Sequence, residues 1–275
     1  MGAVGAKQSL GSGGNVPPTL QPNVTITPVN QGNTDVQTQT PNDQNTPVTP
    51  QALTNISQMS DDELAALVIA AQGAVMPNYL ADRDDLTQKF VFQAGLNEKP
   101  TVLDTKDFMQ FMQDNNIPQT QVINRSVDDI SYTNQQGYTT NLSAQQVQDI
   151  LKYSKLTYIG GKHGGKAYGA GAYFAMTGGR NTGYGANTAT AVLHPTNAKI
   201  IDDNLLYTKA KSFAQSHPKF AKAVGSITNS NMSVYALAMG YNVITDHSAK
   251  NGSYMRGNSG DYYNVIDRSA LVYLK

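Results

Sequence analysis

Cysteine is absent from the 275 residues, which excludes disulfides, Cys-ligated zinc, iron–sulfur clusters and thiol catalysis together. Tryptophan is absent as well, leaving 15 Tyr and seven Phe for any aromatic core. Glutamate is almost missing: Glu63 and Glu98 stand against 18 Asp, and none follows position 98. Only 15% of residues are charged, with 20 Lys/Arg balancing 20 Asp/Glu. That balance argues against a strongly basic nucleic-acid binder and against an acidic solvating chain, so no nucleic-acid partner is expected. No run approaches the roughly 20 apolar residues of a membrane span. No charged-then-apolar leader opens the chain, so neither a membrane anchor nor a cleaved signal peptide is expected.

What is present is unevenly spread. Residues 1–120 hold five Lys/Arg against twelve Asp/Glu, a net −7, and residues 121–275 hold fifteen against eight, a net +7. Two readings stand side by side: a back half that meets an anionic ligand, or two halves that attract each other. The length suits one or two domains. Residues 1–50 contain seven of the twelve prolines, much Gln, Asn and Thr, no aromatic residue and three charges (Lys7, Asp35, Asp43). Such a segment cannot bury enough apolar surface to offset its ordering entropy. Residues 1–55 are therefore expected to be an extended or disordered tail, either a tether or an arm that orders along a larger assembly.

Residues 56–118 read as a helical module. Ser60-Asp61-Asp62-Glu63 has the form of a capping box, opening a run with Leu64, Leu67, Val68 and Ala71 on one face. Leu86, Phe90 and Phe92 suggest a second helix ended near Gly95, and Asp104 to Asn115 a third with Phe108, Phe111 and Met112 at helical spacing. From residue 119 the texture changes. Strands are expected over 121–124, 156–159, 171–175, 188–193, 242–245, 262–266 and 269–274, with helices over 143–154, 204–215 and 231–239. Their irregular order points to α+β rather than a doubly wound sheet.

The densest chemical signal is the glycine-rich stretch from Tyr158 to Ala175. Gly160 to Lys166 formally matches Gly-x-x-x-x-Gly-Lys. A phosphate loop needs a hydroxyl next, to hold magnesium, and then a helix; here Ala167 follows, then glycines and aromatics. The same glycines allow close backbone approach to a ligand, and Tyr168, Tyr173 and Tyr184 could wall a flat heteroaromatic ring. The alternative is that Tyr173 and Phe174 are strand core. His163, His194, His217 and His247 are dispersed, with no metal-ligand spacing. Lys209, Lys211, Lys219 and Lys222 read as a solvated helix face.

Gly169-Ala170-Gly171-Ala172-Tyr173-Phe174-Ala175, followed by Thr182-Gly183-Tyr184-Gly185, resembles the Gly-x-Gly-x-Tyr-Phe-Ala … Tyr-Gly signature of the ADP-ribosyltransferase superfamily. Gln121-Val122-Ile123-Asn124-Arg125 resembles the first strand of its toxin-like branch, which ends in an arginine that grips NAD. Met239 to Ile244 and Tyr262 to Val272 resemble the closing strands, with an ending like that of bacteriophage-encoded domains. The resemblance runs from Gln121 to Lys275 and implies an ADP-ribosyltransferase-like domain over 119–275, with a split β-sheet core, helices and NAD as substrate. Arg125 would hold the diphosphate, as a planar, permanently charged fork can. Gly160, Gly161 and Gly171 would allow close approach, and Tyr173, Phe174 and Tyr184 would meet the cofactor. Nicotinamide departure leaves an oxocarbenium-like ribose that a carboxylate should stabilise.

The sequence departs from the family at two motifs. The usual catalytic Glu is missing, and Asp261, one methylene shorter by roughly 1.5 Å, is the acid just before Tyr262. The Ser-x-Ser strand motif is replaced by Ala172-Tyr173-Phe174. The expected function is NAD-dependent mono-ADP-ribosylation of a host protein by a phage-encoded chain, virion-associated or delivered to the bacterial cytoplasm. The alternative is a virion structural protein with a degenerate transferase fold, its tail packing against capsid or tail proteins. A nucleotide-binding module built on the phosphate-loop match is a third reading.

Overall fold

A computed structural model of the chain describes residues 51–74, 86–96, 98–133, 139–153, 171–176, 187–246 and 262–275. The tail over 1–50 and the expected strand over 156–159 lie outside the described residues. In chain order the elements are α1 (Gln51–Ser57), α2 (Asp61–Gly73), α3 (Leu86–Gln93), β1 (Thr101–Leu103), α4 (Thr105–Asp114), β2 (Ile123–Val127), β3 (Ile130–Thr133), β4 (Thr139–Leu142) and α5 (Ala144–Tyr153). Then come β5 (Ala172–Met176), β6 (Asn187–Leu193), β7 (Ile200–Asp202), α6 (Asp203–Ser216), α7 (Pro218–Val224), α8 (Met232–Ala238), β8 (Val243–Asp246), β9 (Tyr262–Val265) and β10 (Leu271–Leu274). This is a mixed arrangement of eight helices and ten strands among the described residues, in agreement with the α+β expectation.

Local chemistry sets the helix ends. The Ser60 hydroxyl accepts from the Glu63 backbone N–H at 3.4 Å while the Glu63 carboxylate accepts from the Ser60 N–H at 2.7 Å, closing the expected box. The Asp104 side chain caps α4 through the Asp107 N–H. Gln146 and Ser143 exchange the same kind of bonds at the start of α5. Gly95, with φ +71°, turns the chain out of α3, a conformation that costs a glycine nothing. Pro218 opens α7, where a missing N–H is harmless and no continuation of α6 is possible.

Eight strands form one sheet in the order β1-β10-β6-β2-β5-β9-β8-β7, and β3 and β4 form a separate hairpin. The outermost pairs, β1 with β10 and β7 with β8, are parallel, whereas every pairing between them is antiparallel. Because side chains alternate along a strand, the register assigns each residue to a face. One face carries Ile123, Val127, Ala172, Phe174, Ala189, Ala191, Leu271 and Tyr273 and is packed by Val147 and Leu151 of α5. The other carries two separate packings. Phe108 and Met112 of α4 lie with Val122, Val192 and Val272. The helices α1–α3 and α6–α8 share a second cluster with Ile201 and Ile244.

That shared cluster changes the expected boundary at residue 118. Leu64, Val68 and Phe90 from the expected helical module pack in one core with Leu206, Phe220 and Tyr235 from the C-terminal part. Asp61 also accepts from the backbone N–H groups of Lys219 (3.0 Å) and Phe220 (2.8 Å), capping the proline-opened start of α7, and Asp62 pairs with Lys219 Nζ at 2.6 Å. β1 joins the sheet through β10. The compact unit runs from Thr46 to Lys275, so helices expected to form a module of their own are part of the sheet's covering layer. No helix among the described residues is long and apolar enough to cross a membrane.

Candidate functional site

The described segments that carried the family resemblance become β2, β5, β9 and β8, which are neighbours at the middle and one side of the sheet, and β10, which stands apart from them between β1 and β6. Arg125 is not at a strand end as expected. The strand continues to Val127, and Arg125 sits at its centre opposite Ala189. Its parity places it on the α5 face with Ile123, Phe174 and Tyr273. Tyr173 lies on the opposite face, opposite Asn264 and partly buried against the α8 core. The expected arrangement of Arg125 and Tyr173 around one ligand is therefore not formed, because residues 173 and 174 alternate and the register of β2 with β5 gives Arg125 the parity of Phe174. Phe174 is 1% exposed, its ring 6.0 Å from that of Tyr273, so it fills core rather than meeting a cofactor. Asp261, Gly160, Gly161 and Tyr184 lie outside the described residues.

Gly171 does permit a close approach, but the group that approaches is protein. A Cβ at this position would lie 1.7 Å from Asn264 Oδ1. Asn264 is fully buried, and its Nδ2 donates to Ser233 Oγ of α8 at 3.2 Å. The second glycine of the Gly-x-Gly signature thus lets Asn264 of β9 lie against β5 and reach α8.

On the α5 face the electrostatics are unusual. Arg268 has no exposed surface, and its Nη1 donates to the carbonyls of Ile150 (3.1 Å) and Leu151 (2.9 Å), orphan acceptors in the last turn of α5. Burial lowers this guanidinium to about 10, with the Arg125 charge pushing the same way while Tyr273 and Asp267 oppose it. Burial pushes the Tyr273 phenol up to about 12, against the pull of Arg125 and Arg268. The Tyr273 hydroxyl is buried with no hydrogen-bond partner. Asp267, held above the usual carboxylate range by burial, accepts from Ser269 Oγ at 2.7 Å and Ser269 N at 3.1 Å. These groups tie the β9–β10 turn to α5, and they account for the Asp267-Arg268-Ser269 run by architecture.

The opposite face holds an arrangement that strand reading missed. Asp246 of β8 pairs with Tyr262 of β9, Tyr262 with Ala175 of β5, Ala175 with Asn124 of β2, and Asn124 with Thr190 of β6. Five adjacent strands thus contribute one row, polar at every step but Ala175, spanning about 19 Å at ~4.8 Å per strand. Thr190 Oγ1 donates to Asn124 Oδ1 at 3.0 Å. Tyr173 and Asn264 lie in the next row on the same face, beneath α8, while Val122 and Val192 on the other side are covered by α4. The polar row runs between the two helical packings. Asn124, Thr190 and Tyr262 are partly exposed, and Ala175 gives it a small, fully buried floor.

Comparison with protein-family models, with curated proteins and with solved structures gave no match. With Tyr173 beside it, the row offers an amide, a hydroxyl, two tyrosines and a carboxylate on one face, the mixture by which a site orients a polar ligand with a flat ring. Among the described residues no group of three or more His, Asp or Glu converges as a metal-binding set.

Proposed function

We propose that this chain is a NAD-dependent mono-ADP-ribosyltransferase-like protein that takes its dinucleotide along the row from Asp246 to Thr190, with a protein side chain as acceptor. One observation carries the reading: four of the strands with transferase-like segments, β2, β5, β9 and β8, lie side by side, and the register aligns polar residues of β2, β9 and β8 with Thr190 of β6 across one face. In this reading Tyr173 and Tyr262 offer ring faces to nicotinamide, and Asn124 and Thr190 offer hydrogen bonds farther along. Arg125 contributes to packing and charge beneath α5 and does not touch the cofactor.

Thermal unfolding of the full chain with and without NAD tests this. NAD is expected to raise the melting temperature of the parent protein and of Arg125→Gln, and not to raise that of Asn124→Leu or Tyr173→Ala. Loss of the shift in Arg125→Gln alone would return the site to the α5 face, and no shift in the parent would end the reading. A second reading, an interaction protein of a virion with a degenerate transferase fold, is favoured by the row's one carboxylate being 3% exposed. It predicts no NAD shift and no transfer of label from NAD to proteins of a bacterial lysate.

A further inference from the structure

Three turns meet at the end of the sheet where β6 and β9 finish and β8 and β10 begin. Side-chain amides tie them together. Asn242, just before β8, donates from Nδ2 to the Asn197 carbonyl at 3.0 Å, and its Oδ1 accepts from the Lys199 N–H at 2.8 Å. Asn197 Nδ2 donates in turn to the Ser269 carbonyl of the β9–β10 turn at 3.2 Å.

His194 stands at the outer end of this network, half-buried where β6 stops. Its backbone N–H donates to the Ala270 carbonyl at 2.8 Å, and its ring lies 5.6 Å from that of Phe111 on α4. The ring atom Nδ1 accepts from the Thr196 N–H at 3.3 Å and lies 3.0 Å from Thr196 Oγ1. A backbone N–H can only donate, so this bond assigns the proton of the neutral ring to Nε2. A second proton has only Nδ1 to occupy. It would make Nδ1 a donor to Thr196 Oγ1, whose own hydrogen can point to Asn197 Oδ1 at 3.2 Å. The Thr196 N–H would then face another donor and lose its acceptor.

We infer that His194 is an acid-sensitive latch, which fastens the turn after β6 while its ring is neutral and releases the Thr196 N–H when Nδ1 takes up a proton. The elements against it carry Lys106, Asp107 and Asp114 on α4, Asp267 and Arg268 before β10, Tyr273 in β10, and Lys199 in its own turn. Burial lowers the pKa of the ring below its ordinary 6.5. The unfolded chain therefore takes the proton first. Stability present above pH 6.5 is lost as the pH falls through the folded value. Asp267, raised by burial, acts in the opposite sense, so the measurement must single out the histidine.

NMR of the full chain between about pH 7.5 and about pH 5 does so. The His194 ring nitrogens are expected to show the Nε2–H tautomer at the upper end. The Thr196 amide proton is expected to shift with the ring, at one shared midpoint below 6.5. Urea unfolding supplies a second readout. His194→Asn offers a side-chain oxygen in place of Nδ1 and does not titrate, so its urea midpoint should fall by no more than about half the parent's loss over that range. A proton on Nδ1 at the upper end, a Thr196 amide that ignores the titration, or a midpoint at or above 6.5 overturns the inference. So does an equal acid loss in His194→Asn. The NMR outcomes decide the matter in the parent even where that variant does not fold.

Discussion

The two faces of the central sheet use polar residues in opposite ways. Beneath α5, a guanidinium, a phenol and a carboxylate are sealed from water: Arg268, Tyr273 and Asp267 are each at most 1% exposed. Their bonds close the β9–β10 turn and the last turn of α5, and the Tyr273 hydroxyl has no partner at all. On the other face, Asn124, Thr190 and Tyr262 stand partly open between helices. A buried polar group without a hydrogen-bond partner is an architectural burden, whereas Asn124, Thr190 and Tyr262, partly open and in one row, keep polar atoms within reach of solvent. Residue type does not separate the two cases; parity and covering helices do.

Substitutions on the sealed face should cost stability first. Arg268→Ala removes a fully buried side chain and strips Ile150 and Leu151 of their donor, so it should destabilise by on the order of 3 kcal/mol in urea unfolding. At the boundary with α8, Gly171→Ala forces Asn264 away from β5 and breaks its bond to Ser233, at about 1–3 kcal/mol by the same measurement.

Asp61→Ala removes the cap from α7 and should cost about 1 kcal/mol; an equal melting temperature would mean that α7 is held by packing alone. Tyr273→Phe should have the opposite sign at neutral pH, neutral or slightly stabilising, because the hydroxyl it deletes is unpartnered. It should also flatten the alkaline limb. With the folded pKa near 12 and the ordinary value at 10.0, the unfolded chain releases this proton first, so Tyr273 lowers stability as pH rises from 10 toward 12. The smallest effect belongs to the open face. Thr190→Val should shift the melting temperature very little while weakening any NAD-induced shift, and equal losses in both would put the row with the sealed face.

Much of the architecture was readable one element at a time. Ser60, Asp104 and Ser143 announced three helices, and the apolar runs marked β5, β6, β8, β9 and β10 within one or two residues. The three-residue β1 and β7 are too short to show a period, and the β3–β4 hairpin has no Asn-Gly signal. α7 hid behind Pro218, which reads as a helix breaker until a carboxylate from residue 61 is seen to cap the turn that the proline opens. The shared core of α1–α3 with α6–α8 was invisible because apolar stripes do not name their partners.

The site was harder still. Arg125 and Tyr173 each looked like ligand contacts, yet facing direction depends on register, which only the pairing of β2 with β5 reveals. Asn124, one residue before the favoured arginine, and Asp246, which ends an ordinary apolar strand, acquire meaning only as neighbours across strands. The one usable sequence signal was alternation itself, since residue 124 has the opposite parity to 125.

The sheet's two rims are β1 and β7, three residues each, and both run straight into a helix begun by an aspartate, Asp104 before α4 and Asp202 before α6. Such stubs present few unpaired amide and carbonyl groups, which leaves another chain little to zip onto. Strand addition at these two rims of the eight-stranded sheet is thereby discouraged.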